Sequence, residues 1–300
     1  MKIGILSFRP LKKKASEEAL RLRRVALAMG HKLQIFRVDS CQLVYDGRGE
    51  RVFYNGKKFP KIDVLIPRAG IINNVDLRLA PLKQFQLMHM PVVNEYMPIA
   101  RAKNKLRTMQ ILHSLGIPTP RTVALNGLAS LNMAIDAVGG APVILKDPFG
   151  SFGRGVVIAE TKRAAKSVLG MTNLGFGRSI MVQEYVEESG GRDTRVFVVG
   201  DKVIAGMERC AQAEEFRSNV ELGGATNAIE VSDKYAKIAL ASTRALGLEV
   251  AGVDIIESKN GPVVLEVNAN PGFKALEAIT GIDVATPIIE YAIAKVAGEV

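Results

Sequence analysis

"PVVLEVNANPG", residues 262–272, decides how the second half of this chain is read. Its apolar run reads as a buried strand, where a lone carboxylate such as Glu266 is expensive. Upstream, "VAGVDIIESK" (250–259) is a second strand, and Asn260-Gly261 marks a hairpin between the two. If the loop is Lys259-Asn260-Gly261, with Gly261 left-handed, Ser258 faces Pro262 and Asp254 falls directly opposite Glu266. Asn268 then lies two residues on, along the same face. Two carboxylates facing each other across a ladder repel, and a divalent cation between them reverses the sign. The all-oxygen set Asp254, Glu266 and Asn268 suits Mg²⁺ or Mn²⁺. If the loop is instead the two-residue Asn260-Gly261, the pairing slides by one, Asp254 turns to the other face, and the metal argument fails. Sequence alone leaves both registers open.

Working outward, 300 residues with 48% hydrophobic content exceed what one small core needs, so two or three lobes are expected and disorder is not. Cys41 and Cys210 stand far apart without metal spacing, which fits a reducing, cytoplasmic compartment. The opening "MKIGILSF" is too short for a signal segment and reads as a first strand, and no run is long enough to span a membrane. The formal net charge of +10 is uneven. Residues 1–110 hold 22 Lys/Arg against 8 Asp/Glu, net +14, and residues 111–300 hold 18 against 22, net −4. A basic front half suits an acidic partner: a nucleotide, an acidic polypeptide or nucleic acid. A solvated basic surface accounts for the charge equally well. "KKK" (12–14) and "RLRR" (21–24) lack interleaved aromatics and are weak as a nucleic-acid motif.

Residues 1–97 alternate strand and helix signals. Strands are expected at 2–8, 32–38 and 63–70, and a hairpin around Asn55-Gly56 at 51–59. Helices are expected at 16–30, capped by Ser16 and ended by Gly30, and at roughly 76–88. This alternation predicts a small parallel sheet. One strongly basic helix is predicted over 98–116, followed by a linker, "IPTPRT" (117–122). The style then changes to antiparallel strand pairs, at 141–160, 179–188, 194–210 and 250–267, with helices near 127–138, 161–169, 233–246 and 284–297. The expected fold class is an α/β front lobe followed by α+β lobes built from antiparallel hairpins.

Several segments could carry chemistry. In "ILKDPFGSFGRGV" (144–156), Lys146 ends an apolar strand and Gly150, Gly153 and Gly155 follow. Glycines let backbone N–H groups approach a phosphate and a lysine neutralises it. The lysine precedes the loop and a strand follows it, so neither a Walker A nor a dinucleotide fingerprint fits. A glycine-rich turn is the plain alternative. "IMVQEYVEE" (180–188) is a strand end whose edge could meet a flat ligand, or an ordinary amphipathic strand. Asp193, Arg195, Arg209 and "FRSN", with Arg217, Ser218 and Asn219, suit a cleft for phosphate or carboxylate, and surface salt bridges would use the same residues. His31, His89 and His113 show no metal spacing, and no nucleophile–base arrangement can be argued.

In order, these pieces resemble the RimK-type ATP-grasp ligases, the ribosomal protein glutamate ligase family. The resemblance runs over nearly the whole chain and is carried by "IARAKNKLRTMQ", "GGAPVILK", "VQEYVEESGGRDTRVFVVGDKV", "EFRSN", "VAGVDII" and "LEVNANPG". It implies an ATP-grasp fold. Residues 1–97 would form an N-terminal lobe, 98–187 a central lobe with the Gly-rich loop and 188–300 a C-terminal lobe with the metal site, ATP being clamped between antiparallel sheets. By the same resemblance Lys105 and Lys146 contact nucleotide phosphates, and Gly150, Ser151, Gly153 and Gly155 close over them. Glu184, Tyr185 and Val186 form the adenine edge, with Asp193 near the ribose. Arg209, as the catalytic residue, and Arg217, Ser218 and Asn219 face the phosphates and an acyl-phosphate. Asp254, Glu266 and Asn268 hold two Mg²⁺ or Mn²⁺ ions. Phe152 and Arg154 depart from the family's usual loop, and Cys210 stands where a second basic residue is common. The implied reaction is ATP-dependent amide formation through an acyl-phosphate, adding glutamate to the C-terminus of a small-subunit ribosomal protein. A small molecule, peptide or carrier protein is the alternative acceptor. The resemblance also implies a homo-oligomer. A reading of another class is a basic ribosome- or nucleic-acid-binding protein with a vestigial ATP site, which the intact Asp254, Glu266 and Asn268 disfavour.

Overall fold

The structure, a computed structural model, describes residues 1–47, 49–71, 74–150, 155–171, 179–211 and 224–300. The front of the chain runs β1 (Lys2–Ser7), α1 (Glu17–Ala28), β2 (Lys32–Arg37), β3 (Cys41–Tyr45), β4 (Glu50–Tyr54), β5 (Lys57–Lys58), β6 (Val64–Arg68) and α2 (Val75–Leu87). The strands β2-β1-β6 form the expected parallel sheet. Ser16 caps α1 as its position suggested, its Oγ accepting from Ala19 N at 3.2 Å. The hairpin at Asn55-Gly56 also forms, both residues having positive φ, but β3 joins it and makes an antiparallel three-stranded sheet β3-β4-β5. That third strand was not anticipated: its burial pattern is only partial and gives no clean alternation.

The basic segment 98–116 is two helices, not one. α3 (Tyr96–Ala102) ends before Lys103, and α4 (Lys105–Ser114) starts afresh behind Asn104, whose side chain accepts from Arg107 N at 3.2 Å. Asparagine caps a helix start better than it sits inside one, so the break has a local cause. The expected linker is pinned on both sides: Pro118 O accepts from Val264 N and Arg121 O from Glu184 N, each at 2.9 Å.

Next come β7 (Thr122–Leu125), α5 (Leu131–Ala137), β8 (Val143–Lys146), β9 (Val156–Ala159), α6 (Lys162–Met171) and β10 (Ile180–Glu184). The antiparallel sheet β7-β10-β8-β9 packs Leu145, Ile180 and Val182 against Leu131, Ile135 and Leu169 of the helices. The last part holds β11 (Arg192–Val199), β12 (Lys202–Cys210), β13 (Ala225–Ile229), α7 (Asp233–Leu246), β14 (Val250–Ser258), β15 (Gly261–Asn268), α8 (Lys274–Thr280) and α9 (Ala285–Ala297). Its five-stranded antiparallel sheet, β13-β12-β11-β14-β15, carries the two hairpins read from the sequence; β13 and α8 were not anticipated.

One buried side chain ties the front of the chain to this sheet. Asn94 Nδ2 donates to Val250 O at 2.7 Å and Ala269 O at 3.0 Å, and Asn94 Oδ1 accepts from Glu249 N at 2.7 Å and Val250 N at 2.8 Å. The start of β14 and the residue just past β15 are thereby held together. Asn94→Ala would leave buried backbone groups unpaired and is expected to lower unfolding free energy by about 3 kcal/mol, read from chemical denaturation midpoints.

Candidate active site

The β14–β15 hairpin turns on two residues, Lys259-Asn260, with Ser258 paired to Gly261. Carried on unchanged, this pairing would set Asp254 opposite Leu265. A β-bulge intervenes between Asp254 and Ile255, so that Asp254 faces Glu266 and Gly252 faces Asn268. Next to the turn neither register drawn from sequence is found, whereas over Gly252–Asp254 the pairing is that of the three-residue loop. The facing pair expected from the three-residue loop does form, but through a bulge that turn residues do not encode.

The neighbouring ladder rows surround Asp254 with cations. Arg195 is its partner from β11 and donates Nε to Oδ1 and Nη2 to Oδ2, both at 2.7 Å. Arg209, from β12, reaches Asp254 Oδ2 at 2.9 Å and holds Asp193 by two bonds, 2.6 and 2.8 Å. Burial alone would raise the Asp254 carboxyl, but the two guanidiniums outweigh it and bring it to about 2. For Arg209, burial opposes the charge and the two aspartates overcome it, so it stays firmly protonated.

Opposite this network stand three lysines. Lys105, first residue of α4, approaches Glu266 Oε1 at 3.4 Å and donates to Gly150 O at 2.5 Å. Lys146 donates to Gln183 Oε1 at 2.6 Å, and Gln183 is in turn held by Thr122. Lys103, between α3 and α4, lines the same cleft. Among the described residues no ion pair joins Lys103 or Lys146 to a carboxylate. Desolvation lowers both to about 8, with Lys105 pushing the same way and Glu266 partly offsetting it. Half-buried amines with so little local counter-charge suit a polyphosphate. The entry to the Gly-rich loop is closed by Asp147 N donating to Gly155 O at 2.9 Å. Gly155 has φ +74°, where any other residue would be strained, and a Cβ there would sit tightly, 3.1 Å from Asp147 Cβ.

These groups line one cleft of about 540 Å³ between the central and C-terminal sheets. Glu184, Tyr185 and Val186 are on its wall, as are Lys105, Lys146, Gly150, Asp193, Arg209, Asp254, Glu266 and Asn268. Ser151, Phe152, Gly153, Arg154, Arg217, Ser218 and Asn219 lie outside the described residues. Sequence reasoning missed Lys103 and the apolar walls Ile144, Val156, Met207 and Leu265. Met207 carried a usable signal: it lies two residues before Arg209, the same-face spacing of a strand. Lys103 had none while 98–116 was read as one helix.

The donor set fits a hard divalent cation. Asp254 and Glu266 oppose each other, and Asn268 Oδ1 accepts one bond, from Asn270 N at 2.9 Å, leaving a lone pair. Among the described residues no group of three or more His, Cys, Asp or Glu forms a metal site. The protein offers the Glu266 carboxylate, the Asn268 amide and the one lone pair that Asp254 keeps beyond its three guanidinium bonds, the sparse ligation that suits Mg²⁺ shared with phosphates and water.

Two family models cover the chain: the RimK PreATP-grasp domain over residues 1–99 and the RimK-like ATP-grasp domain over residues 102–292. The chain belongs to the RimK-like ATP-grasp family. It is 41% identical over 271 residues to the probable alpha-L-glutamate ligase 2 of Shewanella denitrificans, covering 90% of this chain and 89% of that one. It is 40% identical over 291 residues to the ribosomal protein bS6–L-glutamate ligase of Escherichia fergusonii, covering 97% and 95%. The ATP-grasp ligase PsnB, solved with a variant of its minimal precursor, Mg and ADP, superposes with a TM-score of 0.71 at 20% identity over 97% of this chain and 98% of that one. This RimK-like chain thus has the ATP-grasp fold. No helix among its described residues is long and apolar enough to cross a membrane.

Phosphate binding requires charged amines, and a lysine lowered to about 8 is charged only below that pH. Raising the pH from 7 through about 8 is expected to weaken ATP binding, read by calorimetry, and Lys103→Arg and Lys146→Arg together are expected to flatten that dependence.

Proposed function

We propose that this protein is an ATP-dependent carboxylate–amine ligase that adds L-glutamate to the C-terminal carboxylate of a small-subunit ribosomal protein. The observation that carries the reading is the Asp254–Glu266 pair opposed on one ladder step, facing three lysines in the cleft. The names of the 40–41% identical relatives support glutamate as the added amino acid. We place the lobe boundaries at residues 97/98 and 187/188, with the nucleotide held between the last two lobes.

The chemistry needs no side-chain nucleophile. An acceptor carboxylate oxygen attacks the γ-phosphorus of ATP, the bond to the β-phosphate oxygen breaks, and ADP leaves. The amine of glutamate then attacks the acyl carbon, phosphate departs, and the nitrogen loses a proton to give the amide. Lys103, Lys105 and Lys146 bind the polyphosphate, and the Gly150–Gly155 loop covers it. Glu184, Tyr185 and Val186 present the strand-end edge to adenine, with Asp193 close to the ribose. Arg209, oriented in advance by Asp193 and Asp254, supplies fixed positive charge beside the acyl-phosphate. Asp254, Glu266 and Asn268 would hold two Mg²⁺ or Mn²⁺ ions, which neutralise phosphate charge when bound. The remaining work is positioning.

Release of ADP with ATP, Mg²⁺, each amino acid and a peptide bearing the ribosomal acceptor C-terminus tests the reading. Glutamate-dependent ADP release and a peptide heavier by one or more glutamate residues are expected; no amino-acid-dependent ADP release with any acceptor would refute it. Glu266→Gln is expected to lower kcat roughly 100-fold or more with circular dichroism unchanged.

A further inference from the structure

At the opposite end of the N-terminal sheet from the cleft lies a second concavity, of about 550 Å³. The parallel strands β1, β2 and β6 begin at Lys2, Lys32 and Val64, and β6 leads at its far end into Gly70, which lines the cleft. Five residues of strand separate the two ends by roughly 16 Å. The strand β2 is the sheet's edge, and among the described residues no strand pairs with its outer side. Only its last residue is engaged there from another sheet, Arg37 N donating to Tyr54 Oη at 3.3 Å.

The groove runs along Lys32–Ile35. Its floor is apolar, from the half-buried Ile35 and Ile62, with the buried Ile3 and Leu33 behind them. Its rim is basic and comes from four different segments: Lys2 of β1, Arg23 of α1, Lys32 of β2 and Lys61 before β6, all exposed. Among the described residues none of the four takes part in an ion pair. The one carboxylate bonded at this rim, Asp63, is occupied by the backbone N of Lys2 at 2.7 Å. A single lysine suffices to discourage edge-to-edge aggregation. Four converging cations over an apolar floor do more than that.

We propose that this groove is a docking site for an extended acidic polypeptide segment, which adds as a strand to the outer edge of β2. Unpaired backbone N–H and C=O groups on β2 supply the main-chain bonds, the apolar floor takes alternate side chains, and the rim takes carboxylates from the others. Single-stranded nucleic acid is the less suitable occupant, because among the described residues no aromatic side chain lines the groove to stack a base. The site is separate from the cleft, so a segment can be held here while a chain end is modified there. The proposal stands on the groove itself and does not rest on the ligase reading.

An N-acetylated, C-amidated peptide of four Glu-Val repeats, labelled with a fluorophore, tests it on the full chain without ATP. Saturable binding by anisotropy is expected, together with slowed hydrogen exchange at amides 33–36. Charge reversal with Lys32→Glu and Lys61→Glu together is expected to weaken binding roughly tenfold or more. The same variant is expected to keep the wild-type melting temperature and ATP affinity, which separates loss of docking from loss of fold. Absence of peptide binding, binding unchanged by the charge reversal, or protection outside β2 would overturn the proposal. So would an eight-nucleotide oligouridine that binds this groove as tightly as the peptide, or sedimentation showing that the β2 edge is covered by a second copy of the chain.

Discussion

A buried carboxylate governs the architecture of the site. Asp254 sits in the middle of a central strand, where an unpaired charge would be costly. Arg195 on one flank and Arg209 across the sheet satisfy it, and Arg209 is in turn braced by Asp193. Glu266 on the other flank then faces a carboxylate that cannot be neutralised by protonation near pH 7, since Asp254 is held near 2. Two ionised carboxylates on one ladder step, already flanked by Arg195, Arg209 and Lys105, make that step a place for cations. The lysines across the cleft add positive charge to its opposite wall.

Such a charge arrangement needs a rigid frame. Asn94 fastens the two ends of the β14–β15 hairpin with four hydrogen bonds, so the strand bearing Glu266 and Asn268 is anchored just past Asn268. On the opposing side, the backbone bond between Asp147 and Gly155 closes the base of the Gly-rich loop, and Lys105 touches that loop at Gly150 and the facing carboxylates at Glu266. The break between α3 and α4 lets Lys103 and Lys105 both reach the cleft. A continuous helix would have set residues two apart on divergent faces.

Much of the fold was legible because its signals are local. Ser16 and Gly30 bracket a helix, Asn55-Gly56 marks a turn, and apolar runs mark the strands of the two antiparallel sheets. The ordered motifs from "IARAKNKLRTMQ" to "LEVNANPG" were enough to anticipate the ATP-grasp fold. Less visible were β3, β13 and α8, whose stability comes from packing on neighbours more than from their own pattern. The break at Asn104 was legible in principle, as a capping residue, but a run of good helix formers on both sides masked it.

Residue types were determined by the sequence itself: carboxylates, an amide, arginines and lysines at strand spacings that suit phosphate and a hard cation. Which of them meet was decided by two β-bulges. In β14–β15 the turn alone would oppose Asp254 with Leu265, and in β11–β12 the turn alone would oppose Asp193 with Glu208, like charge against like. One extra residue in each hairpin sets Asp254 against Glu266 and Asp193 against Arg209 instead. A bulge is chosen by the packing and charge balance of the whole sheet, whose strands run from Arg192 to Asn268. The tertiary structure settled it, because no turn signal in the chain could.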